Sequence, residues 1–165
     1  MKKKLLIVAS FFIFICLNAC TGYKPIYSSS NGHFTIADYS IKGDKKLGNQ
    51  IYSKLLNISK YNKNNPTAQS IKISIETSKE KIATVKNAAG KIIEYKINLD
   101  AFINVKDYLT DKSILNQNLN YSSSYKVQEL HSETVILEKK TTENLVNQIY
   151  ENLLIRITEN ISSKW

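Results

Sequence analysis

Ile71, Ile73 and Ile75 alternate with Lys72, Ser74 and Glu76, and the polar alternation runs on towards Val85. After a turn at residues 87–91, Ile93, Tyr95, Ile97, Leu99, Ala101, Ile103 and Val105 hold a period of two against Glu94, Lys96, Asn98, Asp100 and Asn104. A period of two places alternate side chains on opposite faces, so this spacing predicts a long antiparallel hairpin with one buried face and one wet face. Two further strands follow from weaker signals. Residues 33–42 alternate through Phe34, Ile36 and either Ala37 or Tyr39. Residues 113–128 carry Leu115, Leu119, Tyr121, Tyr125 and Val127 in an otherwise polar run, which suggests a face that stays wet or meets a partner.

Elsewhere the period becomes helical. From Lys45 to about Tyr61, Leu47, Ile51, Leu55 and Ile58 recur at spacings of four, four and three, with Tyr52 and Leu56 beside them. Asp44, just after Gly43, suits the N-cap, and Gly48 weakens the first turn by up to ~1 kcal/mol relative to alanine. The polar run at residues 62–66 ends this helix. A second helix over residues 133–161 carries Leu145, Ile149, Leu153 and Ile157 every four residues, joined by Val146, Tyr150, Leu154 and Ile161. Ser132 is its candidate cap, with Glu133 near its positive end. The order β-α-β-β-β-α predicts an α+β fold: a two-layer sandwich with two helices packed on one face of a mostly antiparallel four-stranded sheet.

The start of the chain follows a different pattern. Lys2, Lys3 and Lys4 precede an almost wholly apolar run from Leu5 to Leu17, and Asn18 and Ala19 then lead into Cys20. As a helix, that run covers roughly 20 Å, short of the ~30 Å hydrocarbon core, so it reads as a secretion signal and not as an anchor. A small residue before a cysteine marks a bacterial lipidation site: residues 1–19 are removed and Cys20 receives a diacylglycerol on sulfur and an acyl group on nitrogen. Two or more acyl chains hold a protein to a membrane durably, where one does so only marginally. The alternative is an ordinary secretory signal with an incidental cysteine. Thr21 follows the cysteine where an inner-membrane retention signal has Asp, which favours the outer membrane, periplasmic face. The expected organisation is signal peptide (1–19), lipidated N-terminus and linker (20–32), and sandwich domain (33–165). Tyr23 and Tyr27 suit either the headgroup level or packing against the domain or a partner.

Charge and cysteine count narrow the classes. The formal net charge is +9, and removing the signal takes three lysines and no acid, so most of the excess remains. Cys16 leaves with the signal and Cys20 is consumed by lipid, so no disulfide is available and stability must come from the core. Nucleic acid is an unsuitable partner: export separates the two, and Arg156 is the single arginine among 23 cationic residues. A basic face in the periplasm instead suits phosphates and acidic sugars, as in lipopolysaccharide. The two histidines, His33 and His131, have no cysteine or paired carboxylate at ligand spacing, and no phosphate loop, nucleophile elbow or metal motif is present. The sequence therefore predicts neither an enzyme nor a bound cofactor. Its three Asn-X-Ser sequons are what an Asn- and Ser-rich chain contains by chance.

Three stretches resemble a known family. Cys20-Thr21-Gly22-Tyr23-Lys24-Pro25-Ile26-Tyr27 resembles the Cys-Gly-aromatic-basic-Pro-Leu-Tyr opening of alphaproteobacterial LptE, the lipopolysaccharide-assembly lipoproteins, with Thr21 inserted after the cysteine. The hairpin from Ile71 to Val105, with Gly90 in its turn and Glu94-Tyr95 after it, is similar to that family, as is the terminal helix around Leu145-Val146-Asn147-Gln148-Ile149-Tyr150-Glu151. The resemblance implies a two-helix, four-strand plug inside the outer-membrane barrel LptD, which the family also helps to assemble. It also implies a role in passing lipopolysaccharide to the outer leaflet. The family has a basic residue near the hairpin turn and another before the terminal helix core, so Lys86, Lys91, Lys139 and Lys140 are the lipopolysaccharide-binding candidates. Two alternatives stay open: a lipoprotein that scaffolds or chaperones a barrel without touching glycolipid, and an accessory lipoprotein of a lipid transporter.

Overall fold

In the computed structural model, residues 34–162 are described, and they form β1 (Phe34–Gly43), α1 (Lys45–Tyr61), β2 (Gln69–Lys86), β3 (Ile92–Asp107), β4 (Ser113–Lys126) and α2 (His131–Ser162). The signal run, the lipidation site at Cys20, the tyrosines at 23 and 27, and His33 lie outside them. The strands make one sheet in the order β1-β2-β3-β4. The β2/β3 and β3/β4 pairs are antiparallel, while β1 pairs with β2 in parallel through α1 as the crossover. The fold is α+β, with both helices on one face of a mostly antiparallel sheet.

Period two is obeyed where it was strongest. Ile71, Ile73, Ile75, Ile97, Leu99, Ala101, Ile103 and Val105 are fully buried beneath the helices, and Leu145, Ile149, Leu153 and Ile157 of α2 close over them. In β1 the pattern changes parity. Its pairing with β2 shifts between Ile36 and Asp38, so Ala37 is the extra residue of a bulge. Phe34 and Ile36 before it, and Tyr39 and Ile41 after it, thus reach the same layer despite their opposite parity. Tyr39 stacks on Tyr52 of α1 at 4.0 Å between ring centroids.

Asp44 caps α1 as expected, its Oδ1 accepting from the backbone N–H of Lys46 (3.0 Å) and Leu47 (3.2 Å). Gly48 has a packing role that outweighs its low helix propensity, since a Cβ there would stand 2.5 Å from Cγ2 of Ile41. The start of α2 differs from expectation. The helix begins at His131, and Leu130 O accepts the first intrahelical bond, from Thr134 N. Ser132 therefore lies inside the first turn and not before it. The hydroxyl that acts there is that of Thr134, which accepts from Gln128 N at 2.8 Å and ties the helix to the end of β4. That strand ends at Lys126, two residues short of the expected boundary.

Candidate functional site

The core continues on β3 as far as Ile97, opposite Lys81, and only the tip of the hairpin outruns it. On β2 the buried face stops at Thr77, which sits beside the start of α1: its carbonyl accepts from Asp44 N, and its hydroxyl donates to Asp44 O. Residues 78–86 are exposed, and at ~3.3 Å per residue they carry the hairpin roughly 30 Å beyond the level where α1 begins. Among the described residues the first turn of α1 shares a cleft with Lys79, and the N-terminal part of α2 reaches this extension through a cluster centred on Glu138. Its Oε2 lies 2.6 Å from Lys81 Nζ and accepts from Tyr125 Oη at 2.9 Å, and its Oε1 is 3.7 Å from Lys79 Nζ. The Lys81 ammonium also lies over the rings of Tyr95 and Tyr125, at 4.3 and 5.7 Å from their centroids.

The electrostatics of the cluster follow from these contacts. Burial acts to lower the Lys81 pKa, but the hydrogen bonds and charges of Glu138 and Tyr125 outweigh it and raise the ammonium to about 12. The hydrogen bond from Lys81 holds the Glu138 carboxyl below its usual range, against some desolvation. Burial pushes the Tyr125 phenol up. The cluster is thus charged across the whole physiological range and pins α2 to the hairpin.

At the tip, Asn87 builds the turn. Its Oδ1 accepts from the N–H of Ala89 (3.1 Å) and Lys91 (2.9 Å), and its own N–H donates to Lys91 O at 2.9 Å. Gly90, at φ +79°, supplies the left-handed residue that the reversal needs. Lys86 pairs across the ladder with Ile92, the neighbour of Lys91, so Lys86 and Lys91 flank the turn on successive rungs. Both are exposed, and neither ammonium has an ion-pair partner among the described residues. Ile82, Val85 and Ile93 are exposed near them. Leu130, Val135 and Ile136, around the start of α2, are exposed as well.

Lys139 and Lys140 do not join this pair. They follow Glu138, which sits at the level of Lys81, roughly 17 Å along β2 from Lys86. Lys139 lies 3.9 Å from Glu143 and lines a cleft with Asp44, Lys46 and Thr142 near the start of α1, while Lys140 is exposed. The four candidate lysines therefore make two patches. The Lys81–Glu138–Tyr125 cluster and the exposed apolar residues at the tip were not anticipated from sequence. One signal was available: Lys79 and Lys81 occupy the parity of Ile71, Ile73 and Ile75, and their charge marks where full burial ends.

The second face of the sheet carries no helix among the described residues. It presents Asn116, Asn118, Asn120, Ser122 and Ser124 from β4, Lys72, Glu76 and Glu80 from β2, and an exposed Phe102 from β3. Between the helices, Asn49, Gln50, Ser53, Lys54, Glu143, Val146 and Asn147 line a cleft of about 480 Å³. Buried Gln50 Oε1 has no hydrogen-bond partner among the described residues. Within the same residues, no group of three or more His, Cys, Asp or Glu comes together, and no helix is long and apolar enough to cross a membrane.

Known sequence-family models and curated proteins give no match to this chain. Solved structures do. A Caulobacter crescentus protein described as a lipoprotein matches at a TM-score of 0.55 and 9% identity, covering 83% of this chain and 96% of its own. The uncharacterized lipoprotein B of Nitrosomonas europaea matches at a TM-score of 0.54 and 15% identity, covering 87% and 97%. A minor lipoprotein of Acinetobacter baumannii matches at 0.50 and 13%, covering 77% and 94%. At these identities the likeness is one of fold: the chain has the two-helix, four-strand architecture found in these small bacterial lipoproteins.

Proposed function

We propose that this chain is a lipid-anchored outer-membrane lipoprotein of lipopolysaccharide transport, of the LptE type, that plugs and helps assemble a barrel of the LptD type and binds lipopolysaccharide at its hairpin tip. The observation that carries this reading is the placement of Lys86 and Lys91. They flank one turn, are exposed and make no ion pair among the described residues, at the end of a ladder that carries exposed Ile82, Val85 and Ile93 and projects beyond α1. Lipopolysaccharide is an amphiphile with phosphates next to acyl chains, and a surface for it needs cations next to apolar side chains. Lysine ammoniums meet phosphate as point charges. The uncovered polar face of the sheet suits the wet lumen of a barrel, and the shared fold of small bacterial lipoproteins agrees with an anchor at Cys20. Lys139 and Lys140 form the second, more distant cationic patch.

The test is charge reversal in the full-length lipidated protein. Lys86→Glu with Lys91→Glu is expected to weaken lipopolysaccharide binding about tenfold at low salt and less at moderate salt, because exposed charges are screened. Unchanged affinity at both salts removes the tip as the site. One observation favours the reading in which the protein scaffolds a barrel without touching glycolipid: the Asn- and Ser-rich face of the sheet is left uncovered by both described helices. Co-purification with a barrel fits both, whereas a crosslink between the tip and lipopolysaccharide fits only the first.

A further inference from the structure

The end of the sheet opposite the hairpin tip has its own surface, and we infer that, before the chain enters a barrel, it is a membrane-contact surface that rests on the anionic bilayer into which the chain's own acyl groups insert. This rests on the reading of Cys20 as the lipidated residue. Three segments meet at that end. Residues 59–63 close α1, with Ser59 Oγ accepting from Ile36 N at 2.8 Å. Gln69 and Ser70 open β2 beside Phe34 and Thr35, where the described part of the chain begins. The β3–β4 turn folds against them: Tyr108 N donates to Ser70 O at 2.9 Å, and Gln69 Nε2 donates to Asp107 Oδ2 at 2.6 Å.

These contacts place three largely exposed hydrophobic side chains at the same end of the sheet. Tyr61 is 86% exposed, Leu109 84% and Tyr108 51%. Tyrosine is suited to the headgroup level, with an apolar ring and a polar tip, and leucine to the acyl boundary below it. The charges around them are mainly positive. Lys60, Lys63 and Lys112 are exposed, Asp111 is neutralised by Lys106 at 3.1 Å, and Asp107 is engaged by Gln69 and by the turn. An anionic lipid surface attracts such a cluster.

The turn is also built to hold Leu109 out. Asp107 Oδ1 accepts from the N–H of Leu109 (3.0 Å) and Thr110 (2.7 Å) and from the Thr110 hydroxyl (2.9 Å), so the segment is fixed and not a loose loop. The tether fits as well. Residues 20–33 join the lipid site to Phe34, and a chain of that length spans at most roughly 50 Å, so the end of the sheet at Phe34 is the one reached by the shortest stretch of chain from the anchor. The hairpin tip then points away from the leaflet that holds the anchor.

The test uses the full-length chain expressed with its lipidation machinery, carrying Leu109→Cys in one version and Ala89→Cys in another. On the proposed processing, each introduced cysteine is the single free thiol. The purified proteins are labelled with an environment-sensitive fluorophore and reconstituted into phosphatidylethanolamine–phosphatidylglycerol vesicles. Expected is a blue-shifted emission at position 109, quenched several-fold more by nitroxide lipids than at position 89, with the reverse order for aqueous iodide. Floating vesicles in which position 109 is as water-accessible as position 89 overturn the contact surface and leave lipidation standing. Failure to incorporate palmitate overturns lipidation and the contact surface with it. A third version with Lys60→Glu and Lys63→Glu is expected to reduce the quenching at 109; unchanged quenching removes the electrostatic part.

Discussion

Glu138→Gln removes the carboxylate that Lys81, Lys79 and Tyr125 share. The 2.6 Å contact to Lys81 and the 2.9 Å bond from Tyr125 are charge-assisted, while Lys79 at 3.7 Å adds little. Such bonds contribute about 1.5–3 kcal/mol when buried, and fully exposed ion pairs about 0.2–1 kcal/mol. The side chains of Glu138 and Lys81 are 26% and 34% exposed, which places the loss at about 1–2 kcal/mol, or a fall in Tm of roughly 3–8 °C. A double-mutant cycle with Lys81→Met is expected to return a coupling of about 1 kcal/mol, read by urea unfolding followed by circular dichroism. The pH dependence has a definite sign. Glu138, held below its ordinary 4.5, contributes stability above that value and loses it as pH falls through its lower folded value. Lys81, raised from 10.5 to about 12, contributes fully below 10.5 and loses its share as pH rises towards 12. The coupling is therefore largest and flat between about pH 5 and 10. A value within ~0.3 kcal/mol of zero at neutral pH would refute the view that this cluster fastens α2 to the hairpin.

Gly43→Ala is expected to destabilise by about 2–4 kcal/mol in the same assay, because the residue sits at φ +71° and an added Cβ runs into the Thr77 carbonyl oxygen. Leu153→Ala, at a fully buried α2 position, is expected to cost about 2–5 kcal/mol with no change in the far-ultraviolet spectrum of the folded protein. Asp107, which the hydrogen bonds from Gln69 and from the turn hold at about 2, contributes stability above its ordinary 3.8 and loses it as pH falls towards 2. Asp107→Ala is accordingly expected to cost about 1–2 kcal/mol at neutral pH and to flatten the acid limb of a stability–pH profile. Phe102→Asp, on the uncovered face, is expected to change stability by no more than about 0.5 kcal/mol, and on the proposed function to reduce co-purification with the barrel.

The long hairpin, both helices and the layer order are legible in the sequence because period two and period 3.6 are direct images of which side chains meet the core. Four features are not, each for a physical reason. The bulge at Ala37 reverses the parity of β1, so Phe34 and Tyr39 contradict each other until the pairing with β2 is known. The start of α2 is fixed by Thr134 reaching back to Gln128 and not by Ser132, a choice set by how the chain leaves β4. The two lysine pairs look equivalent along the chain. Their separation depends on where Glu138 lands on β2, which the clamp with Lys81 decides and local sequence does not. Tyr61 lies far in sequence from Tyr108 and Leu109, and the closure of the sheet at the end near Phe34 places all three at that end.

The account stands or falls on glycolipid at the hairpin tip. A photoactivatable residue placed at Ala89 of the full-length chain in living cells, followed by illumination and blotting for the lipid A core, tests this directly. The account predicts a lipopolysaccharide adduct at position 89 that disappears when Lys86 and Lys91 are both glutamate. Adducts to protein alone, in cells where the chain still co-purifies with its barrel, would contradict it.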